Sequence, residues 1–541
     1  MFRRSYGRRR FLQSSAVFSG SLMASVFNNR ITRANDEPGK DEFVKAIIIG
    51  SGFGGAVAAL RLGQAGINTV LLERGRRWPI TPAQNTFATF QNPDGRSAWL
   101  SPTTYDGVPV DIFTGVLERK DENGISVLCG AGVGGSSLVY NAITYQPVRE
   151  VFYRAWPNSP INYDELDQVY YPRVRSMLKA SPLPEDILAT DYYASARLVL
   201  QQAATAGIPS RLVDIAVDWD IVRQEIAGTK VASAINGEHW YGINSGAKNS
   251  LDRNYLTQAE QTGLVEILPL HIATAITEVP DQGYRVSYNQ INEIGETIAS
   301  KTLTCRYLFL AAGSMGTSAL LVKAKATGTL PRLNDQIGKS WGTNGDTFAD
   351  RSGLPVLNSQ KGGPATTVVE HLDNPLGPVI LTFGPAPGTL PDGILRSLAM
   401  GIPSDTGNFE YDAATSSVKL FWPADTPGNK RVQESVHFTC KILDRKNTTF
   451  SSMPQTEVGA GMLLVKNKSS SQVDGGLTAH PLGGAVLGKA CDSYGRIIGY
   501  QGLYVVDSAL IPGSTGCVNP SLTIAAIAER CMERIIAEDF S

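Results

Sequence analysis

The sequence predicts a mixed α/β fold, α+β overall: a parallel sheet with helices, assembled from separated stretches of chain and interrupted by an antiparallel sheet. Three observations predict it. The glycine-rich turn Gly50-Ser51-Gly52-Phe53-Gly54-Gly55 stands between the apolar run Ala46–Ile49 and a helix-like stretch, and a second apolar run, Val70-Leu71-Leu72, closes on Glu73. Strand followed by helix returns far downstream, at Thr302–Ala311 with Thr317–Ala324, and again at Leu503–Val506 with Pro520–Ala537. Between Ser352 and Ser470, Pro/Gly loops separate short alternating segments such as Val379–Phe383 and Val418–Phe421, the pattern of antiparallel strands.

The first 44 residues read as an export signal and linker. Arg3, Arg4, Arg8, Arg9 and Arg10 precede a modest apolar stretch from Ser14 to Phe27, and no acid appears before Asp36. Arg8-Arg9-Arg10-Phe11-Leu12 fits a twin-arginine signal, which predicts a periplasmic or secreted protein; the competing reading is a disordered basic arm. The apolar part is too short and serine-rich to span a bilayer. Thr32-Arg33-Ala34 or Leu22-Met23-Ala24 offers small residues for cleavage. Loss of residues 1–34 removes seven arginines and no acid, taking the formal charge from −1 to −8.

Lys45 to Gly75 forms one βαβ unit with the order a dinucleotide requires. Gly50 allows the tight turn, Gly52 lets the backbone approach a pyrophosphate, and Gly55 lets helix pack on strand. Phosphates then face helix-terminal N–H groups next to Phe53 and Gly54, and Glu73 has the spacing of a carboxylate that accepts from an adenosine ribose. NAD and FAD both remain open on these residues. Arg76 to Thr114 is a lid or an irregular connection. A second glycine tract runs from Gly130 to Ser137, and Tyr163 to Leu200 reads as helical with a break at Pro182 and Pro184. Val265–Leu270 and Tyr284–Tyr288 read as strands. The turn Ala311-Ala312-Gly313-Ser314-Met315-Gly316 falls at the carboxyl end of a sheet, where ligands bind.

Composition bounds the function. The 541 residues suit about two to four compact units. With 42% hydrophobic and 18% charged residues the chain is globular, and a near-neutral balance without a later basic tract argues against nucleic acid. Six cysteines without CxxC spacing predict neither a metal site nor a disulfide framework, but buried small apolar side chains.

Of five histidines, His480 stands out, because it opens the turn His480-Pro481-Leu482-Gly483-Gly484. Downstream lies Gly513-Ser514-Thr515-Gly516-Cys517-Val518-Asn519-Pro520, with Asn519 a plausible N-cap and Pro520 at the first helical position. Together these stretches resemble the glucose–methanol–choline (GMC) family of FAD oxidoreductases, and within it the sterol branch, cholesterol oxidases that hold FAD non-covalently. The resemblance rests on Ile47–Gly55, Gly130–Val139, Tyr241–Tyr255, Cys305–Leu321, Trp341–Gly345 and, most specifically, His480–Arg530.

The resemblance implies a discontinuous Rossmann-like FAD-binding domain (residues 45–150, 240–345 and 475–541) carrying a substrate domain (151–239 and 346–474). It implies oxidation of a sterol hydroxyl to a ketone, with molecular oxygen as acceptor and transient membrane-surface contact to extract the substrate. His480 would accept the hydroxyl proton, unless it is merely a structural histidine. Asn519 would polarise the substrate oxygen or stabilise the reduced flavin, and the helix start at Pro520 would favour an anionic reduced flavin. Gly132, Gly135, Ser136 and Asn141 correspond to the flavin loop, Ala273 to a backbone contact with adenine, and Asp507 to a ribityl or pyrophosphate contact or a simple turn carboxylate.

Two departures matter. The sterol branch carries an active-site glutamate before a Pro-x-Pro turn; here the turn is Pro385-Ala386-Pro387 and the position is Thr382, which puts double-bond isomerisation in doubt. Glu370 and Glu410 lie nearby in sequence but read as exposed surface carboxylates. Tyr140 and Ile143 stand where the family has Asn and Met. The competing functions are a GMC oxidoreductase of another bulky apolar alcohol using a different acceptor, and a flavin-containing steroid-binding protein without turnover. An NAD dehydrogenase leaves the C-terminal block unexplained.

Overall fold

The computed structural model describes residues 42–540 except 356–357, 359, 386–391, 448–454 and 460–475. The arginine-rich segment, its cleavage sites and most of the Pro385-Ala386-Pro387 turn therefore lie outside the described residues.

A seven-stranded sheet organises the nucleotide fold. Its spine is parallel: Glu42–Ile49 lies between Thr69–Glu73 and Thr297–Leu310, and Val265–Pro269 extends the sheet beyond Thr69–Glu73. The run Ala46–Ile49 is buried on both faces, as strands covered by helices must be. The first strand begins at Glu42, so residues 42–44 are sheet and not linker, held by pairing of Glu42 with Leu303. The 14-residue strand Thr297–Leu310 is longer than its apolar portion. Its exposed first half pairs antiparallel with Gly283–Ile291, and its buried second half pairs parallel with Leu503–Val505. One edge of one strand thus joins residues some two hundred positions apart in sequence, and that pairing makes the fold discontinuous.

Helix Phe53–Gln64 packs on the sheet and against the C-terminal helix Ser521–Asp539, where Arg61 pairs with the buried Glu529 at 2.7 Å. The helix after the third glycine turn spans Gly313–Ala326, four residues longer at its start than the apolar pattern predicts.

A second sheet of six strands is wholly antiparallel: Gln455–Gly459, Thr347–Ser352, Leu395–Met400, Val379–Phe383, Thr367–His371 and Ser210–Leu212 in spatial order. Its residues alternate between two environments. Val369, Leu381, Phe383 and Ala399 pack against Val436, Cys440 and Leu443 of helix Pro427–Lys446 and against Val199 and Ala203 of helix Ala194–Ala206. Val368 and Ile380, on the other face, belong to the core shared with the nucleotide fold, and Phe348 joins an aromatic cluster with Tyr105 and Tyr241. Of the six cysteines, all free, five are buried.

Candidate active site

The two glycine tracts meet at a single hydroxyl. Ser51, fully buried, donates its hydroxyl to Glu73 Oε2 at 2.6 Å and accepts from the Gly134 amide at 3.0 Å. Gly135 sits so close to Gly52 that a Cβ on it would lie 2.7 Å from the Gly52 Cα. Gly54 is equally constrained, because a Cβ there would overlap the carbonyl of Val506 at the end of the C-terminal strand. Gly52 itself faces open space, with nothing within 4 Å of a Cβ position. The helix it starts has neither a side-chain cap nor an acid in its first turn, so its N–H groups and dipole are free to meet an anion.

The other predicted cofactor residues have these places in the fold. Glu73 is buried, and its carboxylate already accepts from the Ser51 amide, the Ser51 hydroxyl and the Gly75 amide. Three of its roughly four acceptor sites are in use, so a ribose would share the group with the chain. Ala273 lies at the start of strand His271–Val279, which is tied to the first unit by the Leu270 amide bonding the Gly75 carbonyl at 3.0 Å. Ser136 is exposed on the second glycine tract and accepts from the Gly130 amide at 3.2 Å; Asn141 Oδ1 accepts from the Ala365 amide at 3.3 Å.

Asp507 serves the chain as a cap. Its carboxylate accepts from Ala509 N, Gly313 N and the Thr317 hydroxyl at 2.8, 2.8 and 2.5 Å, stitching the C-terminal strand to helix Gly313–Ala326. Burial pushes its carboxyl up to about 6 against the pull of those bonds. With Ser508 bonding the Ser314 amide, this second helix start is satisfied from within, unlike the one at Gly52.

His480 and Asn519 come together. The imidazole Nε2 lies 3.4 Å from Asn519 Nδ2, and Nδ1 bonds Asp346 Oδ1 at 2.6 Å. Asp346 is almost wholly buried, and its second oxygen accepts from the Thr478 hydroxyl at 2.8 Å and the Ala479 amide at 3.1 Å. Thr478 belongs to Leu477–Thr478, a two-residue strand alongside Ile125–Gly130. The loop leading to Asn519 is held by Asn344, which donates to the Val518 carbonyl at 2.8 Å and accepts from the Thr515 amide at 2.9 Å.

The capping role predicted for Asn519 is not observed. The helix begins at Ser521 with Pro520 preceding it, and no side chain caps it. The Pro520 carbonyl accepts from Ile524, but the Asn519 side chain points its amide to the histidine, leaving Oδ1 buried with no partner. The asparagine is therefore kept for a contact outside the helix.

Sequence reasoning missed Asp346, Ser51 and Lys248. The Lys248 ammonium is buried and donates to the carbonyls of Leu138 and Tyr140, at 2.9 and 2.8 Å, so it holds the tail of the second glycine tract. Burial pushes it down to about 7. Lys248 lies inside a stretch that carries the resemblance, but a lone lysine there reads as surface. Tyr140, also in that tail, lies edge-on to Phe53 with ring centroids 5.5 Å apart.

Thr382 occupies the face of the antiparallel sheet turned toward the main core, where its hydroxyl donates to the Leu398 carbonyl at 2.7 Å. Glu370 is no exposed surface carboxylate: Arg211 pairs with it at 2.8 Å and Tyr145 donates to it. Glu410 is exposed, as expected. Nor is the sheet's inner face purely apolar. Asp350 and Arg396, both less than a tenth exposed, form a bidentate pair there at 2.8 and 2.7 Å.

Three features suit the FAD that the resemblance implies: the open backbone at Gly52, its uncapped helix start, and the partnerless Asn519 Oδ1. Among the described residues no cluster of His, Cys, Asp or Glu has the form of a metal site, and no helix is long and apolar enough to cross a membrane.

Family models described as GMC oxidoreductase match residues 44–339 and 416–528. A cholesterol oxidase of Mycobacterium tuberculosis is 27% identical over 90% of this chain and 89% of its own length. A cholesterol oxidase of Acinetobacter baumannii is 24% identical over 91% and 94%. Among solved structures, pyridoxine 4-oxidase from Mesorbium loti superposes with a TM-score of 0.63 at 16% identity, covering 92% of this chain and 99% of its own. A fungal aryl-alcohol oxidase gives 0.60 at 14%, over 92% and 99%, and formate oxidase of Aspergillus oryzae RIB40, studied for its FAD modification, gives 0.60 at 14%, over 92% and 98%. Those structures share the fold. With more than half of it matched by the N-terminal family model alone, the chain belongs to the GMC oxidoreductases and is an FAD-dependent oxidoreductase of alcohols.

Proposed function

We propose that this enzyme oxidises the hydroxyl of a sterol, or of a comparably bulky apolar alcohol, to a ketone with oxygen as acceptor. The observation that carries the reading is the pairing of His480 Nε2 with Asn519, within a chain similar along nine-tenths of its length to cholesterol oxidases. The flavin, when bound, supplies the hydride acceptor. The substrate hydroxyl gives its proton to Nε2, the carbon gives up a hydride, and the C–O bond becomes a carbonyl. Asn519 lies beside Nε2 and orients the hydroxyl oxygen. The inner face of the antiparallel sheet forms the substrate wall, and the segments 151–239 and 346–474 act as the substrate domain.

Thr382 supports oxidation without isomerisation, because a hydroxyl donating to a backbone carbonyl does not relay protons near neutral pH. The arginine pair near the start supports export by the twin-arginine route to the periplasm or beyond, where the enzyme would take its substrate from a membrane surface.

The test is anaerobic bleaching of the flavin by a panel of sterols and smaller alcohols, followed by peroxide release in air. Bleaching by 3-hydroxysteroids, with a product that keeps its double bond in place, supports the reading; a yellow protein inert to every sterol overturns it. One observation favours a second reading, an alcohol bearing a polar or acidic group: the Asp350–Arg396 pair on the inner face. Polar alcohols in the same panel decide between them.

A further inference from the structure

We infer that Asp346 is a positioning residue for the oxidation, setting the proton on His480 and, through it, the orientation of Asn519. The inference rests on the proposal that His480 accepts the substrate proton. An ionised carboxylate only accepts hydrogen bonds. Asp346 Oδ1 at 2.6 Å therefore calls for a proton on His480 Nδ1. A neutral imidazole carries one N–H, so Nε2 is left with a lone pair. Only the NH₂ end of a carboxamide fits beside that lone pair, and Asn519 Nδ2 is the atom found there at 3.4 Å. Asn519 Oδ1 is thereby turned away, buried and without a partner.

The acceptor offered beside Asn519 is thus Nε2, which suits a ligand group that donates, as an alcohol hydroxyl does and a ketone does not. Asp346 is itself held by the Thr478 hydroxyl and the Ala479 amide, the two residues preceding His480 in the chain. Imidazole, carboxylate and backbone thus form one closed unit. An asparagine at position 346 keeps the size but offers an NH₂ to Nδ1, which favours the opposite tautomer.

The experiment is NMR of the holoenzyme with ¹⁵N-labelled histidine. Only five histidines contribute, and the His480→Ala spectrum identifies the signals of position 480. In the wild type, Nδ1 is expected to bear the proton and Nε2 to show the lone-pair shift. In Asp346→Asn the Nε2-protonated form should gain population. Flavin reduction by the best substrate should slow about 100-fold or more, with the flavin-to-protein ratio unchanged. A wild-type spectrum with the proton on Nε2 overturns the inference, as does an Asp346→Asn enzyme with wild-type tautomer and rate. The wild-type spectrum needs neither the variant nor a substrate. It therefore stands even if Asp346→Asn does not fold, and a chain inert to sterols refutes the proposed substrate without touching the tautomer.

Discussion

His480 and Asn519 face each other across 3.4 Å although 39 residues separate them in the chain. The contact is made by two loops distant in sequence but held by one short segment: Asp346, with Thr478, anchors the first, and Asn344, two residues before Asp346, anchors the second. Removing the imidazole should affect chemistry and, by leaving the buried Asp346 Oδ1 without its partner, lower the melting temperature without undoing the fold. His480→Ala is expected to retain FAD and to slow flavin reduction by about 10²- to 10⁴-fold in stopped-flow measurements. A variant reduced at the wild-type rate would take His480 out of the mechanism.

The two glycines of the first turn should fail differently. Gly54→Ala drives a methyl into the Val506 carbonyl, and overpacking of that kind costs about 1–3 kcal/mol, visible as a lower melting temperature. Gly52→Ala meets no protein atom, so its fold should melt like the wild type while its absorbance at the flavin band drops. Equal losses of flavin and stability in both variants would mean that Gly52 does not face the cofactor.

His239 links stability to acid. It is buried, and burial, together with the nearby Lys248 charge, pushes it down to about 3 from an ordinary 6.5. Between those values the unfolded chain binds a proton that the folded chain refuses, so stability falls as the pH is lowered through the window. The wild type should lose about 1.4 kcal/mol per pH unit more than His239→Gln there. Asp507, raised to about 6, acts in the opposite sense over part of the range, which is why the difference between the two proteins is the quantity to measure by urea unfolding.

Thr382→Glu is expected to add isomerisation to oxidation. The residue is on the inner face of the sheet, its hydroxyl bonds the Leu398 carbonyl, and the expectation rests on the resemblance matching this position to the sterol-branch glutamate. The product of a Δ5-sterol should then gain the absorbance of a conjugated enone. An oxidising variant with an unconjugated product would show that position 382 does not reach the substrate.

Much of this molecule is legible in local patterns. The run Ala46–Ile49, the turn after it and the strand Val379–Phe383 stand where periodicity places them, because burial on one or both faces constrains each residue type directly. The burial of Glu370 is not legible in the sequence, because it depends on Arg211 and Tyr145, both remote in the chain. Nor is the partner of Asn519 legible, because the same side chain suits a helix start and a lone pair equally well, and local sequence does not say which partner is closer.

The sequence by itself determined the nucleotide turn and the family, since each is written in short motifs whose chemistry depends on neighbours in the chain, and it singled out His480 and Asn519 as candidates for the site. Only the tertiary structure decided that Asp346 stands behind His480, that Ser51 ties the two glycine tracts together and that Lys248 is buried beneath the second of them. Those are contacts between distant segments, set by strand pairing and burial, and a lone aspartate, serine or lysine carries no local mark of the group it will meet.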